Sequence, residues 1–389
     1  MARNTGLLCA ARVLAACGVV AGACTMPVRG EPVQMVLASN AHAATSPKSA
    51  VPGTVPGSGL PADLRFTNFG NVIYRSPTTK LWMVVATTNI TTGASDQLLV
   101  IGSGLNISGG TVAAREGVTA TTAGDVLNFS RVDSPRINDA GHWAMAFRPA
   151  SPAGAADERL VKWDGTNLTT VFKGTDAIPA LMGQTFGGSF TGATILNDDS
   201  VGFQATIAPT TGTANDHVFT ASGYTLKINN GTDVPSGQVS MDMSPWSDIT
   251  SKKFTQSADG AHWLALGKVG ADTTKDAVVV VDGAVKIQKG SIITGSGFAA
   301  AVSTIADAFM ESNGDWFARG NNSEASPNAT YWVVKNGVVI AASGLPITPG
   351  SSEHWKPGVT TSPFRDMRGN NAGNYVVLGY GYQQPLSTI

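Results

Sequence analysis

Apolar and polar positions alternate along this chain in short runs, each opened by a polar turn that most often contains glycine. Gly141-His-Trp-Ala-Met-Ala-Phe147, Val201-Gly-Phe-Gln-Ala-Thr-Ile207 and His262-Trp-Leu-Ala-Leu-Gly267 are three such runs. A period of two predicts half-buried β-strands, and long helical patterns are absent. One aromatic residue anchors each run: Trp82, Trp143, Phe203, Trp263, Trp316 and Tyr375, at steps of 61, 60, 60, 53 and 59 residues. A glycine follows each of the first five anchors after 20 to 22 residues, at Gly104, Gly165, Gly223, Gly283 and Gly337. Internal repetition at this period marks propeller blades or a stacked array.

Each unit reads as four strands. The anchor strand comes first, after a turn such as Asn138-Asp-Ala-Gly141, Ser257-Ala-Asp-Gly260 or Asn371-Ala-Gly373. The second and third strands form a hairpin around the later glycine, as in Ala277-Val-Val-Val-Val-Asp-Gly-Ala-Val-Lys-Ile287. Asp-Gly and Asn-Gly between apolar runs are strong hairpin signals. A fourth strand leads to the next turn, as at Ala193-Thr-Ile-Leu196 and Lys253-Phe254. Five units are complete and a sixth has only its first strands, while Leu64 to Tyr74 reads as the fourth strand of a missing preceding unit. Propellers close by letting terminal strands share a blade, which removes exposed edges. The expectation is an all-β fold, a β-propeller of five or six four-stranded blades over residues 63–389. An open β-array or a pair of sandwiches is the alternative.

Composition agrees with many tight turns: of 389 residues, 45 are Gly and 20 Pro, and only 14% are charged. The net charge of −1 leaves no electrostatic footprint for nucleic acid. Residues 1–23 read as a signal peptide, with Arg3 and Arg12 ahead of the apolar run Val13 to Ala23. That run is too short to span a membrane. The three cysteines, Cys9, Cys17 and Cys24, all fall within the first 24 residues, so the body has no disulfide, zinc–thiolate or thiol chemistry. Ala21-Gly-Ala-Cys24 resembles a bacterial lipobox, with Ala21 at the usual leucine position, and makes Cys24 the candidate lipidation site. Leu14-Ala-Ala-Cys17, and cleavage after Ala41-His-Ala43, also fit. Residues 24–62 are rich in Pro, Gly, Ser and Ala and read as a flexible linker with a reach of roughly 30–40 Å.

The turn-plus-strand segments resemble the bacterial NxxGxxAF tandem-repeat proteins. Asn138-Asp-Ala-Gly141-His-Trp-Ala144-Met145 follows the pattern with Met for Phe, and Asn370-Asn-Ala-Gly373-Asn-Tyr-Val376-Val377 follows it more loosely. The resemblance covers most of residues 64–389 and implies an exported bacterial protein with no assigned reaction. Ser257-Ala-Asp-Gly-Ala-His-Trp263 is also similar to the Asp-box of sialidase-like propellers, one residue short, and such a box is a turn stabiliser.

Candidates for chemistry are few. Asp157, Glu158, Asp307, Glu311 and Glu353 are the available carboxylates, with no spacing that marks a glycosidase pair. His142 and His262 hold equivalent positions before anchor tryptophans, with Asp315 and Asn374 at the same place in other units. On a strand they would face a common channel, the beginning of a metal site, but no ligand spacing supports one. Asp139, Asp198, Asp199 and Asp259 cluster in the repeat turns without a calcium-loop pattern, and read as turn caps. No catalytic residue, metal or cofactor is predicted. The non-repeated segments Ala150 to Arg159, Met241 to Lys253 with Trp246, and Ser351 to Phe364 with His354 and Trp355 are the candidate binding surface, for an unknown ligand. The leading expectation is an exported, surface-tethered, non-enzymatic protein that binds an envelope or extracellular partner. A polysaccharide hydrolase or lyase and a purely structural envelope module are the alternatives.

Overall fold

Each anchor residue stands at or near the start of the strand that follows the repeat turn, and among the described residues six blades follow one another along the chain. The computed structural model describes residues 64–383 except 70–73, 91–95, 105–109, 129–132, 150–156, 180, 209–215, 221–223, 240–242, 325–329, 358–360 and 371. The predicted leader with Cys24, and the linker, lie outside the described residues. No helix among the described residues is long and apolar enough to cross a membrane.

Sheet 1 contains β1 (Phe66–Phe69), β2 (Tyr74–Arg75), β3 (Leu81–Thr88), β4 (Gln97–Ser103) and β5 (Thr111–Arg115), with β1 and β2 both paired to β3. Sheet 2 is β6 (Asp133–Ile137), β7 (Trp143–Phe147), β8 (Arg159–Trp163) and β9 (Leu168–Lys173). Sheet 3 is β10 (Thr185–Ile195), β11 (Val201–Ala208), β12 (Asp216–Thr220) and β13 (Thr225–Ile228). Sheet 4 is β14 (Trp246–Gln256), β15 (Trp263–Val269), β16 (Ala277–Val281) and β17 (Ala284–Gln288). Sheet 5 is β18 (Val302–Met310), β19 (Trp316–Asn322), β20 (Tyr331–Lys335) and β21 (Val338–Ala342). What stands as sheet 6 is two two-stranded ladders, β22 (Glu353–Trp355) with β25 (Gly381–Gln383) and β23 (Phe364–Gly369) with β24 (Tyr375–Gly379). Among the described residues the fold is an all-β propeller of six blades, the sixth made of the two short ladders.

The sequence unit is out of phase with the blade by one strand. The strand read as fourth in each unit pairs with the following anchor strand, as Phe254 does with Ala265 and Ile195 with Val201. Its connection to that anchor strand is a tight turn, and short antiparallel connections decide pairing. Within the segment read as a remnant of a missing unit, β1 and Tyr74 of β2 instead pair with the anchor strand β3 of sheet 1.

Asn138 shows why the turn motif begins with asparagine. Its Oδ1 accepts the N–H groups of Ala140 and His142, both at 3.0 Å, while its own N–H donates to the His142 carbonyl. Asn370 repeats the arrangement with Ala372 and Asn374. The later hairpins turn through Asp282-Gly283 (φ 52° and 81°) and Asn336-Gly337 (49° and 83°). Two successive positive φ values make the type I′ turn that matches strand twist.

The first five anchor strands are buried on both faces along most of their length, more deeply than half-buried strands, whereas β24 with Tyr375 is half-exposed. In β7, Trp143, Met145 and Phe147 pack into the cluster shared with sheet 1, and Ala144 and Ala146 into the cluster shared with sheet 3. Large residues on one face and small ones on the other are what a wedge between two neighbours needs. Four tryptophan contacts follow no repeat spacing: Trp82, Trp246, Trp332 and Trp355 each lie against a glycine of an adjoining strand, at Gly102, Gly267, Gly320 and Gly379. A Cβ at any of these glycines would overlap the indole.

Candidate functional site

All strand neighbours are antiparallel, so first-to-second and third-to-fourth hairpins reach one rim of the ring and the remaining connections the other. On the first rim the repeat turns bond to one another. The Ser312 carbonyl accepts from the Ala258 N–H at 2.8 Å, the Ala258 carbonyl from the Asn197 N–H, and Asn197 Oδ1 from the Asp139 N–H at 3.1 Å. Asp139 Oδ1 then accepts the N–H groups of Thr78 and Thr79. Glu311 Oε1 accepts the Gly369 N–H at 2.8 Å, and Arg75 donates to the Gly369 carbonyl at 3.1 Å. The result is a hydrogen-bonded hoop through all six sheets.

Within the hoop opens a cavity of about 760 Å³, bordered by the ends of the inner strands of every sheet. This volume suits a ligand of oligosaccharide size. Five cations border it (Arg75, Lys80, Arg136, Lys253 and Arg368) against two carboxylates, Asp307 and Glu311. In a chain of net charge −1, that local excess is the clearest chemical signal in the molecule.

The charges are not spread evenly. Lys253 is held at 2.6 Å by Asp307, which also faces Arg319 at 3.8 Å. On the other side, sheets 6, 1 and 2 contribute Arg368, Arg75 and Arg136. Arg136 lies over the Tyr74 ring at 4.7 Å and Arg368 over the Phe309 ring at 5.1 Å. Stacking on an aromatic face fixes the plane of a guanidinium and the directions of its N–H donors. Arg368 also meets the half-exposed Asp366 at 3.2 Å. Glu311 stands on this side too: burial pushes its carboxyl above the usual glutamate range, against the opposing pull of the Gly369 N–H and of Arg75 and Arg368.

No family model matches the chain, and no curated protein matches it. Among solved structures it is similar to a gluconolactonase from Xanthomonas campestris (TM-score 0.33, 10% identity, over 82% of this chain and 87% of that one). It is also similar to an exo-beta-1,3-galactanase from Phanerochaete chrysosporium with galactose (0.33, 10%, 79% and 67%). A third is a mutant of AofleA from Arthrobotrys oligospora (0.33, 9%, 70% and 71%). Likeness at this level says nothing about activity or ligand.

The sequence candidates separate cleanly. Asp307 and Glu311 reach the channel, whereas Glu158 is buried between Arg148 at 3.5 Å and the Phe190 N–H, and Glu353 is exposed on β22. Neither histidine borders the channel, because each sits in the turn before its strand. His142 Nδ1 bonds Asp199 of the next sheet at 2.8 Å, and His262 Nδ1 bonds Asp282 of its own sheet at 2.8 Å. Asp315, at the matching place, bonds Asn336 and Lys335. No group of three or more metal-ligating side chains assembles among the described residues. Asp198 and Asp259 cap their own turns through Ser200 and Ala261. Among the described residues of the three non-repeated segments, Lys253 alone borders the cavity, and Trp246 and Trp355 are buried in sheet contacts. The mouth lies on the repeat-turn rim. Sequence spacing could not reveal the arginine arc, since Arg75, Arg136 and Arg368 occupy no common motif.

Proposed function

We propose that this chain is an exported, surface-tethered binding protein whose central channel takes an anionic ligand of the envelope or extracellular space, such as an acidic glycan. The observation that carries the reading is the arc of Arg368, Arg75 and Arg136 across three adjoining sheets, two of the guanidinium groups stacked on aromatic rings. Planar guanidinium forks recognise carboxylate, phosphate and sulfate oxygens, which share the same acceptor geometry. Residues 1–23 as a leader, and Cys24 as a lipid anchor at the head of the linker, belong to the same proposal.

Calorimetric titration tests it, with oligogalacturonate as the acidic probe and a neutral galactan oligomer of equal length as the control. The acidic oligomer should bind, weaken as salt rises, and lose about tenfold or more in affinity in Arg136→Gln and Arg368→Gln. Equal affinity for the neutral oligomer, or no binding of the acidic one, would sink the reading.

A second reading, cleavage of an acidic polysaccharide, is favoured by Glu311 alone. A buried carboxyl held above its ordinary range is suited to proton transfer. The two-carboxylate hydrolase mechanism lacks support, because Asp307, the other carboxylate on the channel, is engaged by Lys253 at 2.6 Å and Arg319 at 3.8 Å. Release of new reducing ends or unsaturated uronate from polygalacturonate by the wild type, abolished in Glu311→Gln, would establish this reading over simple binding.

A further inference from the structure

A second cavity, of about 240 Å³, lies between sheets 1 and 2, apart from the channel. Its character is the opposite of the channel's, since none of its lining residues carries a charge. Two indoles form part of its wall. Trp143 on β7 is buried, Trp163 on β8 is half-buried, and the two are direct cross-strand partners. Such partners place their side chains on the same face with Cβ atoms about 5 Å apart. The opposite wall is fixed by the bond from the Thr122 N–H to the Leu168 carbonyl, at 2.8 Å.

Around the indoles stand groups with hydrogen-bonding capacity to spare. Thr166 and Asn167 donate their backbone N–H groups to Asp164 Oδ1, at 2.9 and 2.8 Å, so the turn is held by the main chain. Their side chains are exposed and make no hydrogen bond among the described residues. The Thr122 hydroxyl is exposed in the same way. Uncharged donors and acceptors beside an aromatic wall suit a ligand with one apolar face and a hydroxylated edge. A pyranose has that form: its axial C–H groups pack on an indole and its hydroxyls meet the hydroxyl and amide groups. An anion finds no partner here, and a purely apolar ligand would strand the polar edge.

We infer that this cleft is a binding site for one neutral hexose unit, separate from the anionic site in the channel. The test uses the full chain with ¹⁵N-labelled tryptophan, titrated with the methyl glycosides of glucose, galactose, mannose and N-acetylglucosamine. The indole N–H resonance of Trp163, identified by its loss in Trp163→Phe, should shift saturably with at least one of the four. Asn167→Ala, at an exposed turn position that leaves the fold intact, should weaken that response about three- to tenfold, the range of one neutral hydrogen bond. Arg368→Gln should leave it unchanged. The inference is overturned if no sugar shifts the Trp163 resonance, if Asn167→Ala has no effect, or if Arg368→Gln abolishes the response and so moves the sugar to the channel. Trp163→Ala should remove binding as well, but Asn167→Ala is the deciding variant because Trp163 also packs against core residues.

Discussion

Adding a single methyl group at Gly320 should cost this fold more than removing most of its surface charges. Gly320 sits on β19 opposite Trp332 of β20. A Cβ there would lie 2.5 and 2.8 Å from indole carbons of Trp332 and would overlap the Thr304 carbonyl oxygen of β18. The indole cannot easily yield, because Trp332 is fully buried and its Nε1–H donates to Asn322 Oδ1 at 3.0 Å. Overpacking of a filled core costs about 1–3 kcal/mol, and breaking the buried indole bond adds ~1–3 kcal/mol, so Gly320→Ala should destabilise by about 2–6 kcal/mol, toward the upper end because the Thr304 carbonyl is also in the way. Gly337→Ala is the matched control: no atom lies within 4 Å of its Cβ, and only its φ of +83° opposes the change, at about 1–2 kcal/mol. Urea unfolding followed by tryptophan fluorescence, with calorimetry for the thermal midpoint, measures both. The Gly320 variant should melt lower by roughly 4–24 °C. If its loss is within about 1 kcal/mol of the control's, the indole–glycine contacts are looser than argued and do not limit packing between strands.

Other outcomes follow from the hoop and the channel. Asp139→Asn removes the carboxylate that receives two N–H groups of sheet 1 and the Asn197 amide of sheet 3; at this partly exposed place the loss in urea stability at pH 7 should be about 1–2 kcal/mol. Burial raises the Asp139 pKa, but the bonds from Thr78, Asn197 and Thr79 outweigh it and the net direction is down. Asp139 therefore stabilises the fold above the ordinary aspartate range and ceases to as pH falls through its lowered value, so variant and wild type should converge in acid. Glu311 has the opposite sign: its raised pKa favours the fold below about 4.5, and that advantage is lost as pH rises. Glu311→Gln should thus be more stable than wild type at pH 7 and indistinguishable from it in acid, as read by thermal midpoints across the range. Intact-mass measurement of protein recovered from its native envelope should find a diacylglyceryl group on Cys24, and an unmodified N-terminus at Ala44 would remove the tether.

The architecture was largely legible because it is written in local rules. Alternation gave the strands, Asp282-Gly283 and Asn336-Gly337 gave the hairpins, and Asn138 and Asn370 gave the turns, since each depends on the chemistry of a few consecutive residues. The phase of the blade is not legible in the alternation, because strand pairing is a relation between segments and alternation does not say which neighbour a strand will choose. The site was far less legible. Arg75, Arg136 and Arg368 come together only when the ring closes, the first and last being 293 positions apart. The histidines drew notice through a shared position, yet one residue's displacement into the turn gave His142 and His262 different partners.

The hoop has a consequence for how such a protein can diversify. Loops that vary in length are the ordinary means by which propellers acquire new specificities, and here the strand ends joined from second to third strand lie on the rim away from the mouth of the channel. The groups that line the mouth belong to inner strands and to turns whose backbones are bonded to the next turn around the ring. An insertion there would break the chain of contacts that passes through Asp139, Asn197 and Ser312. Lineages descended from this fold would be expected to change their ligand by exchanging single side chains at positions such as Arg136 and Arg368, at nearly constant blade length, while the opposite rim accumulates insertions that leave binding untouched.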